Sequence, residues 1–396
     1  MNAIKQYAGG TRSPSALDRA GDSAIHLKMQ LVDFARALGF DSCRVAQCSP
    51  PTHAAEFGDW LNKGGHGEME YMARGEEKRR EPEKILPDAK SIIVLALNYF
   101  QGHPPVAEAA PAISGRIARY AWGDDYHGLI EEKLRKIDNF LREFGGKQKC
   151  YVDTGPILER DYAATAGTGW HGKSTMLIDE KLGTWFFLAE VLTTVELLPD
   201  EPARDRCGTC ERCMKACPTG AITAPYKLDA RLCISYLTIE LKNSIPLELR
   251  PLIGDRIFGC DDCLDACPWN RFAKTSQETA FAARKSTTAF SLRDYLALNE
   301  AEFRDLFRDS PIQRIKRRGF LRNVCVALGN IGNNQDLPAL RCASLDPEPL
   351  IAEHATWAIG QILERAGAST ATVLNPAGAV PASQNRSCER VLLAKV

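Results

Sequence analysis

The sequence predicts a multidomain α+β fold from three observations. Helical and strand-like apolar patterns alternate in the first half, cysteines cluster in the middle, and helical periodicity dominates the last third. The chain has 396 residues, enough for two or three domains. We expect a mobile tail over residues 1–23, a mixed α/β domain over 24–202, a cysteine-rich domain over 203–275, a helical domain over 276–366 and a disordered tail over 367–396.

The composition is typical of a soluble globular protein, with 44% hydrophobic and 25% charged residues. Because 50 basic residues balance 50 acidic ones, any surface for nucleic acid must be a local patch. No apolar run is long enough to cross a membrane, and we find neither a secretory nor a twin-arginine signal. We therefore expect a cytoplasmic protein, in which the 14 cysteines favour metal ligation over disulfides.

The first domain is predicted from apolar spacing. Apolar residues recur every third or fourth position from Leu27 to Leu38, which predicts a helix that ends at Gly39. The same spacing predicts a second helix over 130–141. Short apolar runs predict buried strands at "SIIVLALNYF" (91–100), "KCYVDTG" (149–155) and "GTWFFLAEVLTT" (183–194).

The last third contains a weak internal repeat. "VCVALGNIG" (324–332) and "ATWAIGQIL" (355–363) share an A-[LI]-G-x-I core, and "DLPALRCASL" lies between them as a candidate returning helix. Two copies of such a pattern indicate HEAT-like helical pairs.

The middle segment contains two cysteine runs. The first has the C-x2-C-x2-C-x3-C-P spacing of bacterial ferredoxins, in which the fourth cysteine ligates the neighbouring cluster. The second run is one cysteine short, and Cys233 is the sole unassigned cysteine within the segment. Crossing the ligands predicts two [4Fe–4S] clusters, held by Cys207, Cys210, Cys213 and Cys267 and by Cys217, Cys233, Cys260 and Cys263.

Two alternatives to a catalytic cluster protein remain open on the residues alone. A structural zinc site also uses four thiolates in C-x2-C pairs, although it does not need the longer run. Clusters conduct electrons without choosing a substrate, so the chain would also suit a non-catalytic cluster protein, either an electron-transfer protein or a binding scaffold with structural clusters. A catalytic centre, if present, must lie elsewhere, and the first domain is the best candidate.

Several further segments discriminate among cluster proteins. "EKRREP", "AWGDDYH", "YVDTGPILER", "AGTGWHGK", "GTWFFLAE" and "CISYLTIELK" occur in this order with the two cysteine runs, from about Leu27 to Leu363. This arrangement resembles epoxyqueuosine reductase. The resemblance implies a nitroreductase-like, cobalamin-binding first domain and the reduction of epoxyqueuosine to queuosine at the wobble position of tRNA, the last step of queuosine biosynthesis. It further implies a monomer with a low-potential electron donor. The rival is a corrinoid reductive dehalogenase, which normally has an export signal and lacks the helical tail.

Asp153 is the catalytic candidate. The resemblance implies that it protonates the oxygen released when the epoxide opens, while the clusters reduce cobalamin. A carboxyl group in an apolar pocket has a raised pKa and can hold that proton near neutral pH. The alternative is a helix N-cap, for which aspartate is a favoured residue.

The resemblance also implies which residues contact cobalamin. Arg79 is expected to pair with its polar groups, Lys173 to lie in a turn beside it, and Ser235 to place a hydroxyl or backbone group against it. The full set is Arg79, Asp153, Lys173, Leu177, Leu188, Ser235, Leu237, Asp261 and Asp262.

Basic residues near position 315 are the candidate tRNA contacts. Residues 312–335 include five basic residues and no acidic residue, and Lys242 is a further candidate. Such a face suits phosphate contact, although a solvated helix surface would look the same. The predicted tRNA-binding residues are Lys242, Arg314, Lys316, Arg317, Arg318 and Arg322.

Overall fold

The computed structural model describes residues 16–102 and 113–367. The helices of the first half are α1 (Ala16–Ala37), α2 (Ala54–Asn62), α3 (Glu70–Arg74), α4 (Glu76–Arg80), α5 (Tyr126–Arg142) and α6 (Glu159–Thr165). Its strands are β1 (Ser42–Gln47), β2 (Ser91–Asn98), β3 (Arg116–Ile117), β4 (Gln148–Tyr151), β5 (Trp170–His171), β6 (Leu177–Ile178) and β7 (Phe186–Thr193).

A four-stranded sheet in the order β1-β2-β7-β4 forms the centre of this half, and every neighbouring pair is antiparallel. Strand β2 is buried at all of its residues, as its continuous apolar run predicts. Because successive side chains of a strand point to opposite faces, Ile93 packs in the core with α1 and α5, whereas Val94 packs in the core with α6. Antiparallel pairing with helices on both faces confirms the α+β class.

The tail predicted over residues 1–23 is wrong in its second boundary. Residues 16–23 belong to α1, so the helix begins before the apolar spacing that predicted it. The remainder of that segment, residues 1–15, lies outside the described residues. The tail predicted after residue 367 lies outside them as well.

The middle segment has little regular structure. Its elements are α7 (Arg212–Ala216), β8 (Ile222–Ala224), β9 (Lys227–Leu228), a π-helix (Tyr236–Glu240), α8 (Arg250–Ile253), β10 (Arg256–Phe258) and α9 (Asp262–Asp265). Strand β10 pairs in parallel with β3, which ties this segment to the first half. Short helices separated by loops suit a segment whose stability comes from metal ligation.

The last third is helical, as its sequence predicts. Its helices are α10 (Lys285–Thr288), α11 (Leu292–Leu296), α12 (Glu300–Leu306), α13 (Lys316–Ile331), α14 (Leu337–Ala343) and α15 (Pro349–Arg365). The two copies of the repeated motif lie in α13 and α15, which pack closely. A Cβ atom at Gly329 of α13 would lie 2.4 Å from the Trp357 ring of α15, so the contact requires glycine. No helix of the described ranges is both long and apolar enough to span a membrane.

Candidate active site

The eight cysteines of the middle segment lie in two groups of four. Cys213 lies in α7 and Cys217 follows it, while Cys263 lies in α9 and Cys267 follows it. Because α7 packs against α9, the two runs face each other. Each run therefore delivers its last cysteine to the other group, as crossed ligation requires.

In the first group, Cys267 of the second run lies near the first three cysteines of the first run. Burial, together with the neighbouring thiolates of Cys207, Cys213 and Cys210, raises the pKa of the Cys267 thiol to about 11. Four like charges this close need a positively charged partner, which an iron–sulfur cluster supplies.

The second group surrounds Cys263. Burial raises the pKa of the Cys263 thiol well above its ordinary value, and the thiolates of Cys233, Cys260 and Cys217 raise it further. Cys233 comes from the turn before the π-helix, far along the chain from either run. Both groups coincide with the ligand sets that the spacing predicts.

The π-helix after Cys233 directs backbone groups at the second set of thiols. Burial raises the pKa of the Cys233 thiol, whereas the backbone N–H groups of Tyr236 and Ser235 lower it by facing the sulfur. Such N–H contacts to a ligand sulfur tune the reduction potential of a cluster. Leu237 is 1% exposed within a hydrophobic cluster, so its side chain is part of the core there.

Asp153 lies in the loop between β4 and α6. Its φ is +56°, a left-handed conformation that aspartate adopts more readily than most residues. The Tyr126 hydroxyl donates a hydrogen bond of 2.5 Å to Asp153 Oδ2. Tyr126 is itself fixed, since its ring stacks on Phe187 at 4.0 Å and on His127 at 4.2 Å. One carboxylate oxygen is thus held in place while the other remains available.

The structure excludes the alternative interpretation of Asp153 and contradicts one expectation about it. It is not an N-cap, because α6 begins at Glu159 and its N-cap is Leu158, which makes no side-chain cap. Nor is it enclosed in an apolar pocket, because its side chain is exposed in this structure. Only a bound ligand or substrate could enclose it.

Charged and phenolic groups from distant segments surround Asp153. Arg314 donates to Glu240 at 2.7 Å. Burial lowers the pKa of Arg314, but Glu240, Tyr120 and Asp153 raise it above its ordinary value. The pKa of Tyr71 is raised to about 12, mainly by burial, and Tyr71 also interacts with Asp153. The site therefore combines a fixed carboxylate, a cation and phenols.

Arg79 is the best-placed of the predicted cobalamin contacts. It is 7% exposed, and within the described residues its guanidinium donates one hydrogen bond, to the Tyr71 carbonyl at 3.3 Å. Burial lowers the pKa of the Arg79 guanidinium, while Tyr71 and Glu159 raise it. A guanidinium has five N–H donors, so most of them remain for a ligand.

Two glutamates lie near Asp153, of which Glu190 is fully buried and Glu159 is partly exposed. Glu190, on the central strand β7, is 0% exposed, and both of its carboxyl oxygens lack a hydrogen-bond partner within the described residues. Burial raises the pKa of Glu159 to about 8, and the Asp153 carboxylate also raises it. Neither was predicted, although a glutamate inside the apolar run "FFLAEVL" was a visible anomaly.

Three other predicted contacts line the same half of the molecule. Lys173 Nζ donates to the Gly208 carbonyl at 2.7 Å, so it fixes the loop of the first cysteine run. Leu177 on β6 is buried and Leu188 on β7 is half-buried, and both pack on the α6 side of the sheet. They provide apolar surface rather than polar contacts.

Asp261 and Asp262 are already paired within the protein. Asp261 accepts the backbone N–H of Arg119 at 2.8 Å, and burial raises its pKa to about 6. Asp262 accepts from Arg256 at 2.5 Å. The Tyr120 ring lies 6.1 Å from the ring of Tyr126, which bonds Asp153, while the adjoining Arg119 bonds Asp261. These contacts link the carboxylate site to the second cysteine group.

Two of the predicted tRNA contacts are structural residues. Arg322 is 1% exposed and donates to the carbonyls of Leu237, Leu241 and Asn243 at 2.7–2.8 Å. Arg317 is mostly buried and pairs with Asp346 at 2.5 Å. Because neither guanidinium is free to reach a phosphate, both predictions are wrong for these residues.

The other basic residues are exposed. Lys316 begins α13, Arg318 makes a long ion pair with Glu348 at 3.6 Å, and the Lys242 side chain is exposed beside it. The Lys242 carbonyl accepts from Arg318 at 3.3 Å, so these two residues are neighbours. Arg314 also has an exposed part but faces Asp153, at the edge of the active site.

Two family models match the chain. Residues 79–154 match "Epoxyqueuosine reductase QueG, DUF1730", a range that includes Arg79, Tyr126 and Asp153. Residues 206–270 match "4Fe-4S double cluster binding domain", a range that includes all eight grouped cysteines.

Similar proteins cover most of the chain. An epoxyqueuosine reductase of Pseudomonas aeruginosa is 39% identical over 355 residues, covering 88% of this chain and 98% of that protein. A crystal structure of epoxyqueuosine reductase with an epoxyqueuosine-modified tRNA-Tyr stem loop matches at 32% identity and a TM-score of 0.79, covering 85% of this chain and 90% of that one. A Bacillus subtilis epoxyqueuosine reductase with its catalytic loop swung out of the active site matches at 31% identity and a TM-score of 0.77, with the same coverage.

Proposed function

The chain belongs to the epoxyqueuosine reductase family, and from this premise we propose how it reduces epoxyqueuosine to queuosine in tRNA. The resemblance predicted from its motifs is thereby confirmed. The observation that carries the proposal is a run of contacts from Asp153 to the second cysteine group. The Tyr126 hydroxyl bonds Asp153, and its ring lies 6.1 Å from the Tyr120 ring. The N–H of the adjoining Arg119 bonds Asp261, which stands between two cysteines of that group. Electrons from the clusters and a proton from Asp153 can therefore meet at one place.

We assign the cobalamin site to the space around Arg79 and Asp153. The fit rests on Arg79, a buried guanidinium with several N–H groups unused within the described residues, which suits a ligand with amide or phosphate oxygens. Ser235, Lys173, Leu177 and Leu188 remain further proposed contacts. When bound, cobalamin would supply a strongly reducing metal centre to the epoxide.

Asp153 is the proposed catalytic acid. Opening the epoxide releases an alkoxide, which becomes a leaving group only when it is protonated. Tyr126 holds Asp153 Oδ2 at 2.5 Å, so the other carboxyl oxygen can face the substrate. Because Asp153 is exposed here, the bound base and cofactor must exclude water from it.

The surface beside this site is the proposed tRNA contact. Lys242, Lys316 and Arg318 are exposed neighbours, and Arg314 lies between them and Asp153. A relative has been solved with a tRNA-Tyr stem loop, which supports binding of an anticodon arm here. We interpret α13, α14 and α15 as HEAT-like helical pairs that support this surface.

The test is an anaerobic assay with tRNA that carries epoxyqueuosine, the cluster-loaded protein, cobalamin and a low-potential reductant. Nucleosides are then measured by mass spectrometry. We expect queuosine from the wild type with cobalamin and none without it. Asp153→Asn should lower turnover by ~10²–10⁴-fold, the usual contribution of a general acid, with cluster absorbance and tRNA affinity unchanged.

The matched control is Asp33→Asn, because Asp33 is an exposed aspartate on α1 that pairs only with the nearby Arg36. It should keep wild-type turnover. Wild-type turnover by Asp153→Asn would refute its role as the acid, and cobalamin-independent turnover would refute the cofactor assignment.

A further inference from the structure

The reaction needs more protons than Asp153 holds. Converting an epoxide to an alkene breaks both C–O bonds, consumes two electrons and two protons, and releases the oxygen as water. The clusters supply the electrons, but one carboxyl group supplies one proton. Asp153 must therefore be protonated again within each turnover, although the bound substrate slows its exchange of protons with bulk water.

Glu190 is an unexplained feature of the fold. It lies opposite Tyr151 on β4 and Val94 on β2, in the central strand pair of the sheet, and it is 0% exposed. Its carboxyl oxygens have no hydrogen-bond partner within the described residues. A buried carboxylate without a partner is costly, so the group is held as the neutral acid. Buried polar groups without partners are rare and need an explanation.

Glu159 lies on the same face of the sheet as Glu190, because Val94, the cross-strand partner of Glu190, packs in the core on the α6 side. It is the first residue of α6, which packs on β7, and it is only partly exposed. It interacts electrostatically with the Asp153 carboxylate, and the backbone N–H of Asp153 faces its carboxyl group. Glu190 interacts in turn with both Glu159 and Asp153. The three carboxyl groups therefore influence one another electrostatically, from the core to the site.

We propose that Glu159, backed by Glu190, is a proton store that recharges Asp153 during turnover. The inference rests on the proposed role of Asp153. In each turnover Asp153 gives a proton to the substrate oxygen, Glu159 passes its proton to the Asp153 carboxylate, and Asp153 gives the second proton. Glu159 then regains a proton from solvent or Glu190 before the next turnover. Glu159 and Glu190 act through Asp153, so they are positioning residues.

No other charged group described near Glu159 and Glu190 is placed to act as the proton store instead. The cations that interact with Glu159 are Arg160 and Arg79, and both favour its ionised form. Burial opposes them and raises its pKa to about 8. His171 of β5, which also packs on α6, is hydrogen-bonded to Asp161 at 2.9 Å. Glu159 is therefore protonated below about pH 8 and empties above it.

The experiment is a pH profile of single turnover with enzyme that holds both clusters and cobalamin and is reduced beforehand. The wild type should keep its rate up to about pH 8 and lose it above, because the store then loses its proton. Glu159→Gln should be ~10-fold slower near pH 7.5 and should recover towards the wild-type rate near pH 5.5, where solvent can recharge Asp153. Glu190→Gln should change the profile in the same direction by a smaller factor.

The control is Glu196→Gln, an exposed glutamate just after β7, which should leave the profile unchanged. A loss of equal factor at every pH in Glu159→Gln would show a purely structural role and overturn the proposal, as would a wild-type profile. If the wild type itself makes no queuosine at any pH, the proposed function fails instead. Glutamine has the size of a neutral glutamic acid, so both variants should fold, and cluster absorbance checks this.

Discussion

The cysteine groups and the carboxylate site are built in opposite ways. All cluster ligands lie within residues 207–267, and their spacing alone defines the groups. The carboxylate site draws on residues 71–79, 120–126, 153–159, 190, 240 and 314, which only the complete fold brings together. Electron supply is therefore a local property of one segment, whereas proton supply depends on the fold. Substitutions in the first region should remove a cluster, whereas substitution of Tyr126 or Asp153 in the second should lower the rate with both clusters retained.

The largest expected effect separates the two cysteine groups. Cys233→Ser should remove one cluster, Cys267→Ser should remove the other, and each should abolish turnover because the relay is broken. Iron and sulfide analysis should give about half of the wild-type content for either variant. The experiment tests the crossed assignment directly.

Two results would contradict this prediction. If Cys233→Ser retains both clusters, another group ligates the second cluster. If either variant loses both clusters, the groups are not independent sites. Cys43→Ser is the control, because Cys43 is a buried thiol on β1 within the hydrophobic core and should leave the iron content unchanged.

The next prediction concerns Arg322, which connects the helical third to the segment that follows Cys233. Arg322 of α13 holds the carbonyls of Leu237, Leu241 and Asn243, the segment that follows Cys233. Arg322→Ala would leave these carbonyls without donors, so we expect a loss of ~3 kcal/mol in the free energy of unfolding. Urea denaturation of the cluster-loaded protein measures it. Arg318→Ala, an exposed neighbour, should leave the midpoint unchanged, and equal effects would mean that burial at Arg322 is unimportant.

The same contrast explains what the sequence could predict. Cluster ligands follow from spacing, because a cubane fixes the distances between nearby thiolates, and even Cys233 followed by elimination. The strand at 91–98 followed from its continuous apolar run. By contrast, nothing in the order of residues shows that Glu190 would interact with Glu159 and Asp153, because these groups come from two separate segments of the chain.

The sequence also failed to predict which charged side chains are buried. Arg317, Arg318 and Arg322 are the same residue type, so a count of basic residues cannot distinguish them. They differ because α13 packs with one side on the protein, so Arg322 points inward and Arg318 outward. The exposure of Asp153 was missed for a similar reason, since an apolar pocket was inferred from chemistry that requires the bound state.

A third prediction tests whether turnover depends on the hydrogen bond that holds Asp153 in place. Tyr126→Phe removes the hydroxyl that holds Asp153 Oδ2, a hydrogen bond to a charged group worth ~1.5–3 kcal/mol. Turnover should fall ~10–100-fold, with cluster content and tRNA affinity retained. Tyr295→Phe is the control, because its hydroxyl bonds the Ser286 carbonyl in the helical third. A wild-type rate for Tyr126→Phe would mean that Asp153 does not need this anchor.

The smallest expected effect is that of substitutions on the proposed tRNA surface. This surface has no residue in common with the proposed cobalamin site, so substitutions there should alter the affinity for tRNA without altering the chemical step. Lys316 and Arg318 are exposed, so the double change to alanine should weaken binding of an anticodon stem loop several-fold and lower the slope of log affinity against log salt by ~1 per lost phosphate contact. Fluorescence anisotropy across a salt series measures it. Arg317→Ala is the matched control, because Arg317 is paired with Asp346 and cannot neutralise a phosphate. A change of slope in the control equal to that of the double variant would place the tRNA on the buried side of α13 and exclude the exposed surface proposed here.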